Sequence, residues 1–90
     1  MSILELAKKI PDNVRHERLM TTLDPIETAI PVSANEQMRL LAVIWETFIE
    51  PHKKVEYHCG LCLSGILGNF KAMRSELMEL EKEYLLLESL

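Results

Sequence analysis

CGLCLSGILGNFKAMRSELMELEKEYLLL, residues 59–87, is the stretch whose reading decides the fold. Within it Cys59, Leu63, Ile66, Phe70, Met73, Leu77, Leu80, Tyr84 and Leu87 recur at alternating spacings of four and three. That repeat places one narrow apolar seam along a helix, as in coiled coils. The stretch predicts a single helix over 59–89, about 45 Å long at 1.5 Å per residue. A second pattern lies on its first half only, where Gly60, Ser64, Gly68 and Ala72 are small and four apart. At 100° per residue this row falls opposite the seam and forms a shallow groove that another helix backbone can approach. The first half is therefore expected to be a central helix packed on both sides, and the second half an amphipathic one that projects. Gly65 and Gly68 each cost about 1 kcal/mol against Ala inside a helix, which close packing would offset. A kink at Gly68-Asn69 is the alternative.

Upstream, Ser33-Ala34-Asn35-Glu36 reads as a capping box. Met38, Leu41, Trp45 and Phe48 then follow at helical spacing, and Pro51 closes the segment. A helix over 34–50 would cover only about 25 Å of the long seam, so the rest must meet either the N-terminal segment or a second chain. Asp24-Pro25-Ile26-Glu27 is a clean helix start that Pro31 limits to about one turn, making 24–32 a structured connector. Ser2 to Ile10 predicts a short helix with Ile3, Leu6 and Ile10 on one side. Pro11 either ends that helix or begins another, and Val14, Leu19 and Leu23 fit no helical period well. The fold class is thus all-α, a small helical bundle with a long C-terminal helix. It is organised as short helices and connector over 1–32, a helix over 33–50, a linker over 51–58 and the long helix over 59–89.

A domain of ninety residues buries only about 60–65% of the surface its unfolded chain exposes. At 48% hydrophobic, this one holds more apolar material than it can easily hide, which favours a homo-oligomer or a subunit of a larger assembly. From Glu76 onward five glutamates stand against Lys82 alone and account for the whole net charge of −4. Nucleic-acid binding usually needs a basic stripe, and the short pairs Lys8-Lys9, Arg15 with Arg18 and Lys53-Lys54 do not make one. No secretory leader or membrane span is read, and two cysteines three apart suit a reducing, cytoplasmic setting. There is no phosphate loop, nucleophile elbow or paired acid, so no enzyme is expected.

Cys59-Gly60-Leu61-Cys62 sits where the long helix begins, a position that favours thiolates. Three readings stay open for it. The cysteines could be small buried hydrophobes; they could bind zinc with His52 and His58, or pair with a second copy's motif in a four-thiolate site; or they could be redox-active.

The arrangement Trp45, Phe48, Pro51, short basic linker, Cys59-Gly60-Leu61-Cys62 and apolar helix resembles small uncharacterised proteins of bacteriophages of gut Bacteroidetes, over residues 38–80. The resemblance implies a phage or mobile-element origin, hence the host cytoplasm or a virion, and carries over no functional residue. The expected function is a non-enzymatic helical interaction or assembly protein that needs no cofactor. It would self-associate or dock on a protein partner through Phe70, Met73, Leu77, Leu80, Tyr84 and Leu87. One alternative is a zinc-stabilised nucleic-acid-binding or regulatory module using Lys53, Lys54, Arg15 and Arg18. Another is a small acidic inhibitor of a host factor that presents residues 76–90.

Overall fold

Among residues 2–90, which this computed structural model describes, the chain forms five helices and no strand. They are α1 (Ile3–Lys8), α2 (Asp12–Val14), α3 (Pro25–Thr28), α4 (Glu36–Ile44) and α5 (Gly60–Glu88). Both α2 and α4 run on into a widened π turn, over Arg15–Leu19 and Trp45–Ile49. Each π turn ends where an amide reaches the carbonyl five residues back, Met20 to Arg15 and Glu50 to Trp45, both at 2.9 Å. Such turns are a common way for a helix to terminate. They also explain the poor period of Val14, Leu19 and Leu23, which lie in a helix, its widened end and the turn beyond.

Pro11 resolves both ways, since it follows α1 and stands as the N-cap residue of α2. Ser2 caps α1 by accepting the Glu5 amide at 3.2 Å. Asp24 caps α3 from a left-handed backbone position, φ 46°, which Asp tolerates better than most residues. The cap of α4 is Asn35 rather than Ser33, so this helix starts two residues later than expected. The reason is that the Asn35 side-chain oxygen accepts two amides, Met38 at 2.8 Å and Ile30 at 3.2 Å. It caps the helix and ties the connector to it at once, which a serine two residues earlier does not do.

The 29 residues of α5 span about 44 Å, matching the 44 Å long dimension of the molecule. There is no break at Gly68-Asn69. Helices α1, α2, α3 and α4 all pack on α5. Leu63, Phe70, Met73 and Leu77 of α5 are buried to about 1% exposure or less, against Met38, Leu41 and Ala42 of α4 and Leu19 and Ile26 from the N-terminal half. Trp45 meets Phe70 edge-on, with ring centroids 6.0 Å apart. Burying apolar area of this kind, about 25 cal/mol per Å², is what holds the four short helices on the long one.

The long helix departs from expectation in two ways. The seam is covered by the chain's own helices, so Phe70, Met73 and Leu77 are core residues rather than a docking surface. Leu80 and Tyr84 are half-buried, and only Leu87, at 69% exposure, is open. The first half of α5 is packed on one side, not two: Gly60, Ser64, Gly68 and Ala72 are all exposed, and a Cβ on Gly60, Gly65 or Gly68 would meet nothing within 4 Å. Among the described residues, the face bearing the large apolar side chains is covered and the small-residue face is left to solvent.

Candidate functional site

At the start of α5 the chain leaves its 51–58 linker through a tyrosine–glutamate clasp. Tyr57 donates its hydroxyl to Glu46 Oε1, and the Val55 amide donates to Oε2 of the same carboxylate, both at 3.1 Å. Burial first, and the Glu46 hydrogen bond second, push the Tyr57 phenol above its ordinary value. The clasp delivers Cys59 to the N-cap of α5, where its Sγ accepts the Cys62 amide at 3.1 Å.

Cys59 and Cys62 are joined as a disulfide, with Cα atoms 5.2 Å apart. Cys59 is half-buried and Cys62 exposed, so neither is the buried small hydrophobe expected. The proposed metal set of Cys59, Cys62, His52 and His58 does not form either. The two sulfurs bond each other, and among the described residues no three His, Cys, Asp or Glu side chains gather closely enough to hold an ion. Both His52 and His58 are exposed. The zinc-stabilised reading loses its ligands by that geometry.

Beside Cys62 opens a cleft of about 220 Å³, lined by Trp45, Ile66, Gly65 and Asn69 on the helical side and by Glu50, Lys53, Lys54, Val55 and Glu56 on the linker side. Trp45 Nε1 donates to Glu50 Oε1 at 2.7 Å, which fixes the indole as one wall. Asn69 Nδ2 donates to the Gly65 carbonyl at 2.9 Å along the other. Lys53 and Lys54 are exposed and stand in no ion pair among the described residues.

A third place escaped the sequence reading. Arg15 is 1% exposed, the one buried charged residue among those described. Its guanidinium reaches Asp12 at 2.7 Å and Glu81 of α5 at 3.4 Å, and lies 5.5 Å from the Tyr84 ring centre. His16 Nδ1 stands 2.5 Å from the other Glu81 oxygen. Arg15 therefore fastens α2 to the second half of α5 and is not a phosphate contact; Arg18 is exposed. Glu81 is likewise drawn into the fold and is not part of a free acidic face. The available signal was Glu81 itself, four residues after Leu77 and three before Tyr84, which puts an acid on the buried side of the helix.

The outer face of α5 remains. Leu61 is 88% exposed, Leu86 68% and Leu90 100%, with Ser64, Gly65, Gly68, Ala72 and Ser75 exposed between them. No helix is long and apolar enough to cross a membrane among the described residues. No family model, curated protein or solved structure matches this chain.

Proposed function

We propose that this chain is a non-enzymatic helical assembly protein that pairs with a second copy of itself, antiparallel, along the outer face of α5. The carrying observation is that leucines at both ends of that face are exposed while everything between them in its first half is small. At 100° per residue Leu61, Gly65, Gly68, Ala72, Leu86 and Leu90 lie within about 40° of one line along the helix. A two-fold axis beside Ser75 and Glu76 sets Leu90 of the second copy against Leu61 and its Leu86 against Gly65. A closed dimer requires such a self-complementary patch, because each residue pair occurs twice.

Charge acts both ways: the two copies' Glu76 side chains meet beside the axis and repel, while the charges farther out are complementary. Glu79 and Glu83 of the second copy fall opposite Ala72 and Gly68, beside Lys71, and the basic linker at Lys53 and Lys54 faces the acidic end of the other helix. Opposed helix dipoles add to the attraction. Gly65 and Gly68, each about 1 kcal/mol less favourable than Ala in a helix, touch nothing within one chain and are accounted for by a close helix crossing. The phage or mobile-element setting implied by the resemblance over 38–80 suits a small self-assembling subunit and belongs to this proposal.

Sedimentation velocity under reducing conditions tests it. The unaltered chain should sediment as a dimer at micromolar concentration. Gly68→Gln, which fills the groove, and Leu86→Glu, which charges the knob, should sediment as monomers of unchanged helicity. A monomeric unaltered chain, or variants that still dimerise, would sink the proposal.

A further inference from the structure

The geometry points to a redox-active disulfide: Cys59–Cys62 exchanges with a small thiol that enters the cleft beside Cys62 and attacks the Cys62 sulfur. This does not rest on self-association. A structural disulfide stabilises by closing a long loop or joining separate elements. This one closes a very short loop, linking residues three apart, and binds no second element to α5. The clasp of Tyr57 and Val55 on Glu46 already places the start of α5 without it.

The two sulfurs are not equivalent. Cys62 is exposed and lines the cleft, whereas Cys59 is half-buried and sits at the N-cap. Cys59 Sγ accepts the Cys62 amide at 3.1 Å, so a thiolate released there is met by an N–H already in place and by the positive end of the helix. A better-stabilised leaving thiolate departs faster, so attack is directed to the other sulfur. The incoming thiolate forms a bond to Cys62 Sγ while the Cys59–Cys62 bond breaks and its electron pair leaves on Cys59. A second thiolate then attacks the thiol's sulfur in the mixed disulfide and releases Cys62 as a thiolate. Two thiols become one disulfide, and the two electrons they give up reduce the protein disulfide to two thiols once protons are taken from water. The cleft admits a small thiol: it is about 220 Å³, with Trp45 and Ile66 as apolar walls and charges of both signs at its rim, Lys53 and Lys54 against Glu50 and Glu56, so it selects by size and not by net charge.

Glutathione is the probe. The oxidised full chain is incubated with reduced glutathione, quenched in acid and mapped by peptide mass spectrometry, while circular dichroism follows the fold. Expected is reduction of the folded protein with the transient adduct on Cys62. Cys59→Ser treated with oxidised glutathione should keep its adduct on Cys62, which the unaltered reduced chain resolves by attack of Cys59. A disulfide that resists glutathione until the helices unfold would overturn the proposal, as would an adduct found equally on Cys59. The unaltered chain needs no substitution to give the first answer. Repeating the measurement with Leu86→Glu keeps the result separate from the dimer's.

Discussion

Tyr57 and Arg15 show how much depends on single polar groups in a chain this small. The fold favours the neutral phenol of Tyr57, because burial and the Glu46 carboxylate both oppose its ionisation. Its folded pKa therefore lies above the ordinary 10.0, and the stability it contributes is complete below that value and lost as pH rises through the folded one. Tyr57→Phe should cost about 1 kcal/mol at neutral pH. Its melting temperature should then fall less steeply than that of the unaltered chain above about pH 10, in thermal melts followed by circular dichroism. Tyr84, raised first by burial and then by Glu88, remains in both proteins, so the difference reports Tyr57. Arg15→Met leaves Glu81 at 12% exposure without its guanidinium and should destabilise by about 3 kcal/mol in urea unfolding. Adding Glu81→Gln should recover part of that loss, since the carboxylate left with His16 as its partner is then gone. Neither role was legible in the sequence: an arginine in a short polar helix reads as a surface residue until Glu81 and Tyr84 arrive from sixty-six residues and more away.

At the scale of elements, periodicity and capping chemistry made α5 and most of α4 legible. Four uninterrupted heptads admit no other regular structure, and the helix runs from Gly60 to Glu88 as one piece. Boundaries were less legible where a side chain serves two elements, as Asn35 does for the connector and α4. The small-residue row on α5 was legible as a pattern but not as a place, because a pattern on one helix does not say which face its neighbours will choose. That exposure gives a sharp expectation. Gly65→Ala and Gly68→Ala should each raise the stability of the isolated chain by about 1 kcal/mol, because the added methyl meets no atom within 4 Å and only helix propensity changes. Thermal melts at concentrations low enough to dissociate any dimer measure this; a loss of stability would mean that the face is packed within the chain.

For the whole molecule, the division between core and free end of α5 sets what truncation and substitution do. Leu77 is fully buried, so Leu77→Asp should unfold the chain, a buried carboxylate costing several kcal/mol, and not merely dissociate a folded monomer. Residues 85–90 are all exposed, and ending the chain after Tyr84 should leave helicity and melting nearly unchanged while abolishing the proposed dimer. Circular dichroism and sedimentation on the two variants separate these outcomes directly. The clustering of α1 to α4 on one side of a helix as long as the molecule is what makes the two ends of α5 so unlike in their tolerance.

Local chemistry alone determined that this chain is helical, where its long helix lies, and which side chains form the seam, because hydrogen-bonding period, proline positions and caps act over a few residues. Tertiary structure alone decided that the seam is closed by the chain's own N-terminal half, that the small face of α5 is left outside, and that Arg15 is buried on Glu81. It also set the two cysteines against each other, with their histidine neighbours left in solvent. Those outcomes depend on which faces win the competition for a limited buried volume, and on charges that meet only after sixty-odd residues of chain have folded between them.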